Sequence, residues 1–217
     1  MNGFFLSFEG TDGSGKTSVL RKIVQKLAEN GNKDNFILTR EPGGNRIAEA
    51  IRDVILNVDF TEMDAKTEAL LYAASRRQHL VETILPALKA NKLVLCDRFV
   101  DSSLVYQGKG RNIGMQKIDK LNQFVTDGIE PDLTIFFDVN PKIGLERIAT
   151  SRTDEVNRLD QENMKFYEDI HQAYLSLVAA NKHRIVRIDA SQSLTKVTDD
   201  VIAVLEQRIP HFFPVEN

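Results

Sequence analysis

With 217 residues, 42% of them hydrophobic and 27% charged, the chain has material for one folded domain with a full-sized core. A formal net charge of -3 excludes global attraction for nucleic acid, which shows as a basic stripe or domain, so an anionic ligand has to be held by local groups of Lys and Arg. The single cysteine, Cys96 in the run Leu93-Val94-Leu95-Cys96, excludes a disulfide framework and reads as a buried reduced thiol. No signal peptide or uninterrupted apolar stretch of membrane-spanning length is visible, which points to a cytoplasmic protein without a membrane partner.

In chain order, the apolar run Phe4-Phe5-Leu6-Ser7-Phe8 predicts a first strand. A helix follows to about residue 30, with Gly31 as its stop. Residues 36–39 read as strand two, ending in the polar turn Arg40-Glu41-Pro42-Gly43-Gly44, and residues 47–56 as a helix with Ile47, Ile51, Val54 and Ile55 on one face. Helical spacing then runs from residue 65 to about 91, with Pro86 expected to kink or divide it. Strand three is predicted at 93–96, ending in Asp97-Arg98. A helix near 102–106 precedes Gly108-Lys109-Gly110-Arg111, expected to be flexible, and another covers 115–125.

Strand four, Leu133-Thr134-Ile135-Phe136-Phe137-Asp138, is nearly all apolar, as a strand buried on both faces should be. Pro141 starts a helix to about 149. Residues 150–160 are charged and almost free of apolar side chains, which predicts a mobile lid within the single domain. Residues 162–181 form an amphipathic helix, 184–188 the fifth strand, and 195–208 a last helix. Strands alternating with helices give an α/β fold with right-handed crossovers and a mostly parallel five-stranded sheet. Ligands in such sheets bind beyond the strands' carboxyl ends.

Between the first strand and the first helix stands Gly10-Thr11-Asp12-Gly13-Ser14-Gly15-Lys16-Thr17, which fits the phosphate-loop pattern G-x-x-x-x-G-K-[ST] in the context that pattern requires. Its glycines let backbone N–H groups turn inward around an anion, and the helix adds unpaired N–H groups and a positive dipole end. Lys16 is placed to reach the outer phosphates and the Thr17 hydroxyl to ligate Mg²⁺. The chain is therefore expected to bind a nucleoside triphosphate through residues 10–17.

Four further stretches join that loop: Thr39-Arg40-Glu41-Pro42-Gly43-Gly44, Tyr72-Ala73-Ala74-Ser75-Arg76-Arg77, Asp97-Arg98-Phe99 with Ser102-Ser103 and Tyr106-Gln107-Gly108, and Asn157-Arg158-Leu159-Asp160-Gln161-Glu162. Together, in this order and with this spacing, they resemble the thymidylate kinase family, especially its bacterial form. The resemblance spans essentially the whole chain. It implies the P-loop NTPase fold of the nucleoside monophosphate kinases, transfer of the γ-phosphoryl group of MgATP to thymidine monophosphate (dTMP), and a homodimer.

The resemblance also implies roles. Asp12 would accept from the sugar 3′-hydroxyl, Arg40 and Arg98 would clamp the monophosphate with Pro42 beside them, and Asp97 would stand by the metal or only hold Arg98 in place. Tyr72 would stack on thymine while Arg76 donates to a thymine carbonyl, with Ser103 and Gln107 completing the base-edge contacts. Phe99 departs from the Tyr that many members carry, which leaves sugar selection there to ring bulk. Arg147 stacks on adenine or is a solvated helix residue, and Gln192 lies in a segment skirting the adenine. Gly13 replaces an arginine found in one branch of the family, so Arg158, with Arg152, is expected to supply the catalytic cation beside Lys16 and Arg98. No general base is needed, because the acceptor phosphate is already largely ionised; His79, His171, His183 and His211 read as surface or packing residues. Rival readings are another nucleoside mono- or deoxynucleoside kinase, and a nucleotide switch. Against the switch, Asp189-Ala190-Ser191-Gln192 is not a guanine-reading N-K-x-D motif.

Overall fold

The computed structural model describes residues 3–151 and 162–214. Five parallel strands, β1 (Phe4–Glu9), β2 (Phe36–Arg40), β3 (Leu93–Asp97), β4 (Leu133–Asp138) and β5 (Ile185–Asp189), form one sheet in the order β2-β3-β1-β4-β5. Register pairs Ser7 with Cys96 and with Thr134, so the central strand ends level with its neighbours. All five carboxyl ends consequently lie along one edge, with the crevice of the doubly wound topology beside β1.

Alternation along β1 divides the core. Leu6 and Phe8 enter a cluster with Val19, Ile23 and Leu27 of α1 (Lys16–Glu29) and Val197, Val201 and Leu205 of α9 (Leu194–Arg208). Phe5 joins the opposite cluster with Val94, Cys96, Leu80, Ile84 and Phe99. A third cluster packs Phe136 against Tyr167, Ile170 and Tyr174 of α8 (Met164–Ala180). Every residue of β4 is buried, as its composition predicts, and Cys96 is a buried free thiol.

Two local departures from the expected helices have physical causes. The long 65–91 segment is α3 (Ala65–His79), a π-helical turn (Leu80–Ile84) and α4 (Leu85–Lys89). Pro86 stands in the first turn of α4, where its absent N–H and its ring would disturb the preceding carbonyls. The wider turn before it absorbs the mismatch, with Leu85 N–H bonded to the Leu80 carbonyl. Likewise, Gly108-Lys109-Gly110 is no flexible linker: α5 (Val100–Ser103) continues into a π-helical Leu104–Gly110. A Cβ on Gly110 would sit 2.6 Å from the Phe166 ring, so the glycine there serves close packing. The remaining helices among the described residues are α2 (Arg46–Leu56), α6 (Met115–Thr126) and α7 (Pro141–Ser151). On α2, Ala48 and Ile55 are buried while Ile47 and Val54 of its predicted apolar face are exposed.

Candidate active site

The phosphate loop follows β1 with Gly10, Gly13 and Gly15 all at positive φ (148°, 73° and 87°). Gly15 caps α1 without any side-chain hydrogen bond, so the first turn's N–H groups face the loop uncapped. Buried Lys16 donates to the carbonyl oxygens of Gly10 (3.0 Å) and Thr11 (3.4 Å). Burial, and then Arg98 beside it, lower the Lys16 pKa, and the carboxylates of Asp97, Asp12 and Glu9 offset this only in part.

Arg98, just past β3, has φ 70°, a conformation rare outside glycine. Its N–H bonds the Phe8 carbonyl, and its guanidinium bonds the Gly10 carbonyl (2.9 Å) and Asp12 Oδ1 (2.8 Å) and lies 5.1 Å from the Tyr106 ring centre. Glu9, fully buried, organises this corner. It accepts from Phe99 N–H (2.8 Å), Ser102 N–H (3.3 Å), Ser102 Oγ (2.6 Å) and Tyr174 OH (2.8 Å). Burial and the nearby Asp101 raise the Glu9 pKa.

The edge of the sheet opens into a cleft of about 270 Å³. Its lining includes Asp12, Lys16, Thr17, Arg40, Asp97 and Arg98 together with Pro42, Tyr72, Arg76, Phe99, Ser103 and Gln107. Every residue expected to hold the acceptor thus borders one cavity. Arg40 is exposed and paired with Glu49 (2.9 Å). Arg76, by contrast, is nearly sealed: Nε donates to Glu41 (2.7 Å), Nη1 to Asn122 (2.7 Å), and Nη2 to Ser103 Oγ (2.9 Å) and the Phe99 carbonyl (3.2 Å). Glu41 in turn meets His79 (3.1 Å), whose other ring nitrogen meets Thr39 (2.6 Å).

Arg147 and Gln192 lie outside this cleft. Arg147 donates to the carbonyls of Ala190 (2.9 Å) and Ser191 (3.4 Å), which ties α7 to the loop after β5, while Gln192 donates within that loop to Asp189 O (3.2 Å). Arg152 and Arg158 lie outside the described residues.

Asp97 and Thr17 offer hard oxygen donors suited to Mg²⁺. The buried Asp97 Oδ1 has no hydrogen-bond partner among the described residues, and neither have the Thr11 and Ser14 hydroxyls. Such orphaned oxygens around a phosphate loop fit a site that takes a cation and an anion together.

Residues 8–201 match the family model for thymidylate kinase. The chain belongs to the thymidylate kinase family. The thymidylate kinase of Ligilactobacillus salivarius (strain UCC118) is 61% identical over 205 residues, covering 94% of this chain and 98% of that protein. That of Geobacillus thermodenitrificans (strain NG80-2) is 53% identical over 209 residues, covering 96% and 92%. The crystal structure of thymidylate kinase from Ehrlichia chaffeensis superposes with a TM-score of 0.76 at 34% identity, covering 94% of this chain and 99% of that one.

Glu9, Glu41, Glu68, His79 and Asn122 are buried polar residues bonded to the cleft's lining or to its partners, a role the sequence does not assign them; for His79 it suggests only a surface or packing residue. A carboxylate inside an apolar run, as Glu9 is after Phe4-Phe5-Leu6-Ser7-Phe8, was the one available signal.

Proposed function

We propose that this protein transfers the γ-phosphoryl group of ATP to dTMP, giving dTDP. The observation that carries this reading is the cleft itself: Lys16, Arg40 and Arg98 border the same cavity as Tyr72, Arg76 and Gln107. Cations suited to two phosphate groups therefore share one space with an aromatic ring and an amide suited to a base edge. Arg40 and Arg98 hold the acceptor phosphate, Lys16 and the loop N–H groups hold the donor's outer phosphates, and Asp12 accepts from the sugar. Catalysis is alignment of two anions and exclusion of water, with no proton abstracted by a side chain.

Thr17 and Asp97 would hold Mg²⁺, which when bound neutralises charge on the transferring phosphates. Arg152 and Arg158 are assigned to the phosphates as part of a lid at 150–160, on the grounds of that segment's composition. Arg147 and Gln192 flank the adenine. We place the enzyme in the cytoplasm, as part of dTTP synthesis. No helix among the described residues is long and apolar enough to cross a membrane. We also propose a homodimer, supported by the exposed Ile47 and Val54 of α2 and Leu70 of α3; light scattering that gave a monomer mass at micromolar protein would remove it.

The decisive assay mixes the protein with MgATP and, separately, dTMP, dUMP, dCMP, AMP, GMP and thymidine, and follows ADP. Turnover with dTMP well above the others is expected. Equal use of dCMP, or turnover only with thymidine, would overturn the reading.

A further inference from the structure

Gln107 lines the cleft while being 2% exposed, so only a small part of it reaches the cavity. An amide has two nearly identical ends, one accepting and one donating, and which end faces a ligand decides what the ligand must offer. Here the amide has no such freedom. Nε2 donates to Glu68 Oε1 at 2.8 Å, and a carboxylate only accepts, so the nitrogen end is committed to Glu68. Glu68 itself is fully buried on α3. Arg111, which only donates, places Nε 3.2 Å from each Glu68 oxygen. Its far end reaches Glu162 at 2.5 Å, and the guanidinium lies 5.3 Å from the Phe166 ring centre. Arg111 only donates and Glu68 only accepts, so the Gln107 amide is held with one Nε2 N–H on Glu68 and its oxygen turned away from that carboxylate.

We infer that Glu68 is a positioning residue for base selection: it fixes the Gln107 amide so that an oxygen acceptor meets the base edge. This deepens the proposed function and rests on it. Thymine carries N–H at ring position 3, flanked by carbonyl oxygens, whereas cytosine carries a lone pair there and an amine next to it. A fixed acceptor from Gln107, beside the one Nη1 N–H of Arg76 that is not already donated to Glu41, Asn122, Phe99 or Ser103, matches the first pattern and opposes the second at both positions. Arg76 alone reads one position; Glu68, through Gln107, adds the next.

The test compares kcat/KM for dTMP and dCMP in the wild type, Glu68→Gln, Gln107→Leu and the double variant. In Glu68→Gln the carboxylate becomes an amide that can offer either end, so Gln107 is released to turn. The dTMP:dCMP ratio is expected to fall about tenfold or more, mostly through a higher KM for dTMP. In the Gln107→Leu background, Glu68→Gln should leave the ratio unchanged, because the residue acts only through Gln107. A merely structural Glu68 would lower both substrates alike, or multiply with Gln107→Leu, and either outcome overturns the inference. Should Glu68→Gln fail to fold, a crystal structure of the wild type with dTMP decides. Gln107 Oε1 within hydrogen-bond distance of N3, with Nε2 still on Glu68, supports it; the amide turned the other way, or out of reach, overturns it. A wild type that did not phosphorylate dTMP would defeat the proposed function, whereas one that prefers dTMP with an unaltered ratio in Glu68→Gln defeats only this inference.

Discussion

Gly13 of the phosphate loop and Gly144 of α7 meet backbone to backbone. A Cβ on Gly13 would stand 2.0 Å from the Gly144 carbonyl oxygen, and one on Gly144 would stand 2.8 Å from the Asp12 carbonyl oxygen. The loop is thus seated on the first turns of the helix that leads toward residues 152–161. A side chain at position 13 cannot enter without parting the two, which explains why this loop carries glycine where one branch of the family carries arginine.

Gly144→Ala should therefore disturb the loop from behind. Overpacking of this kind costs about 1–3 kcal/mol. We expect a lower Tm and a KM for ATP raised about tenfold, with KM for dTMP changed much less, since the contact touches Asp12 through its backbone alone. Calorimetry and steady-state kinetics check both. Unchanged ATP kinetics would show that the loop tolerates the displacement.

Lys16 is a buried cation held at a cost to the fold. Its pKa is lowered first by burial, so the folded chain sheds this proton more readily than the unfolded chain does. The sign follows: near neutral pH the buried cation destabilises, and its contribution improves only as pH rises toward 10.5. Lys16→Met should keep or raise the nucleotide-free Tm while phosphoryl transfer falls about 10³-fold or more. A variant that unfolds yet turns over normally when refolded would reverse the assignment.

Arg158 is proposed, from the composition of its segment, to supply the cation that position 13 lacks. Arg158→Ala should lower kcat about 10²–10³-fold with little change in the dissociation constant for dTMP, because the contact is made chiefly in the transition state. Rapid-quench kinetics separate that chemical step from product release. A normal kcat would return Arg158 to the surface.

Legibility followed the physics of each feature. Strand β4 matches its predicted bounds because six nearly apolar residues between turn signals admit few alternatives. The phosphate loop and the Asp97-Arg98 corner were readable because chemistry there demands particular residue types at fixed spacing. The two π-helical turns were not, since a wider turn uses the same side chains as an α-helical one and reveals itself only through packing, at Pro86 and against Phe166. Arg76 was legible as a cleft residue but not as the hub of four hydrogen bonds, because Glu41, Asn122, Phe99 and Ser103 lie far apart in the chain. Buried carboxylates such as Glu68 look, in sequence, like any helix-surface glutamate.

Asp138, at the end of β4, gives the fold an acid-sensitive tie. A hydrogen bond from His171 (2.6 Å) and then Arg187 (2.7 Å) hold its pKa below the ordinary 3.8. A lowered carboxylate pKa contributes stability that is present above 3.8 and lost as pH falls through the folded-state value. Asp138→Asn should cost about 1 kcal/mol at pH 7, and the gap to wild type should narrow at an acid pH below 3.8. Urea unfolding at the two pH values measures it. A gap that persisted in acid would assign the loss to packing.

Glu9 sets the geometry of Arg98, and its replacement tests the whole corner. Four donors converge on its carboxylate, two of them backbone N–H groups of the segment from Phe99 to Ser102. That segment begins with Arg98 at φ 70°, a conformation worth about 1–3 kcal/mol of strain, which the surrounding bonds must offset. Glu9→Gln keeps the shape but exchanges one acceptor oxygen for an NH₂ group, which either faces the two backbone N–H donors or obliges the Ser102 and Tyr174 hydroxyls to turn and accept. Either arrangement weakens the set of bonds, by about 1–3 kcal/mol, and the Arg98 backbone is then the strained element free to relax. Its guanidinium would leave Gly10 and Asp12, so kcat/KM for dTMP should fall about 10²-fold while ATP binding persists. Tyr174→Phe is the control: it removes one of the four bonds without placing a donor on Glu9, and should cost about 1 kcal/mol of stability with only a few-fold loss of activity. If Tyr174→Phe and Glu9→Gln lowered activity equally, the corner would be responding to lost packing, and Glu9 would have no special hold on Arg98.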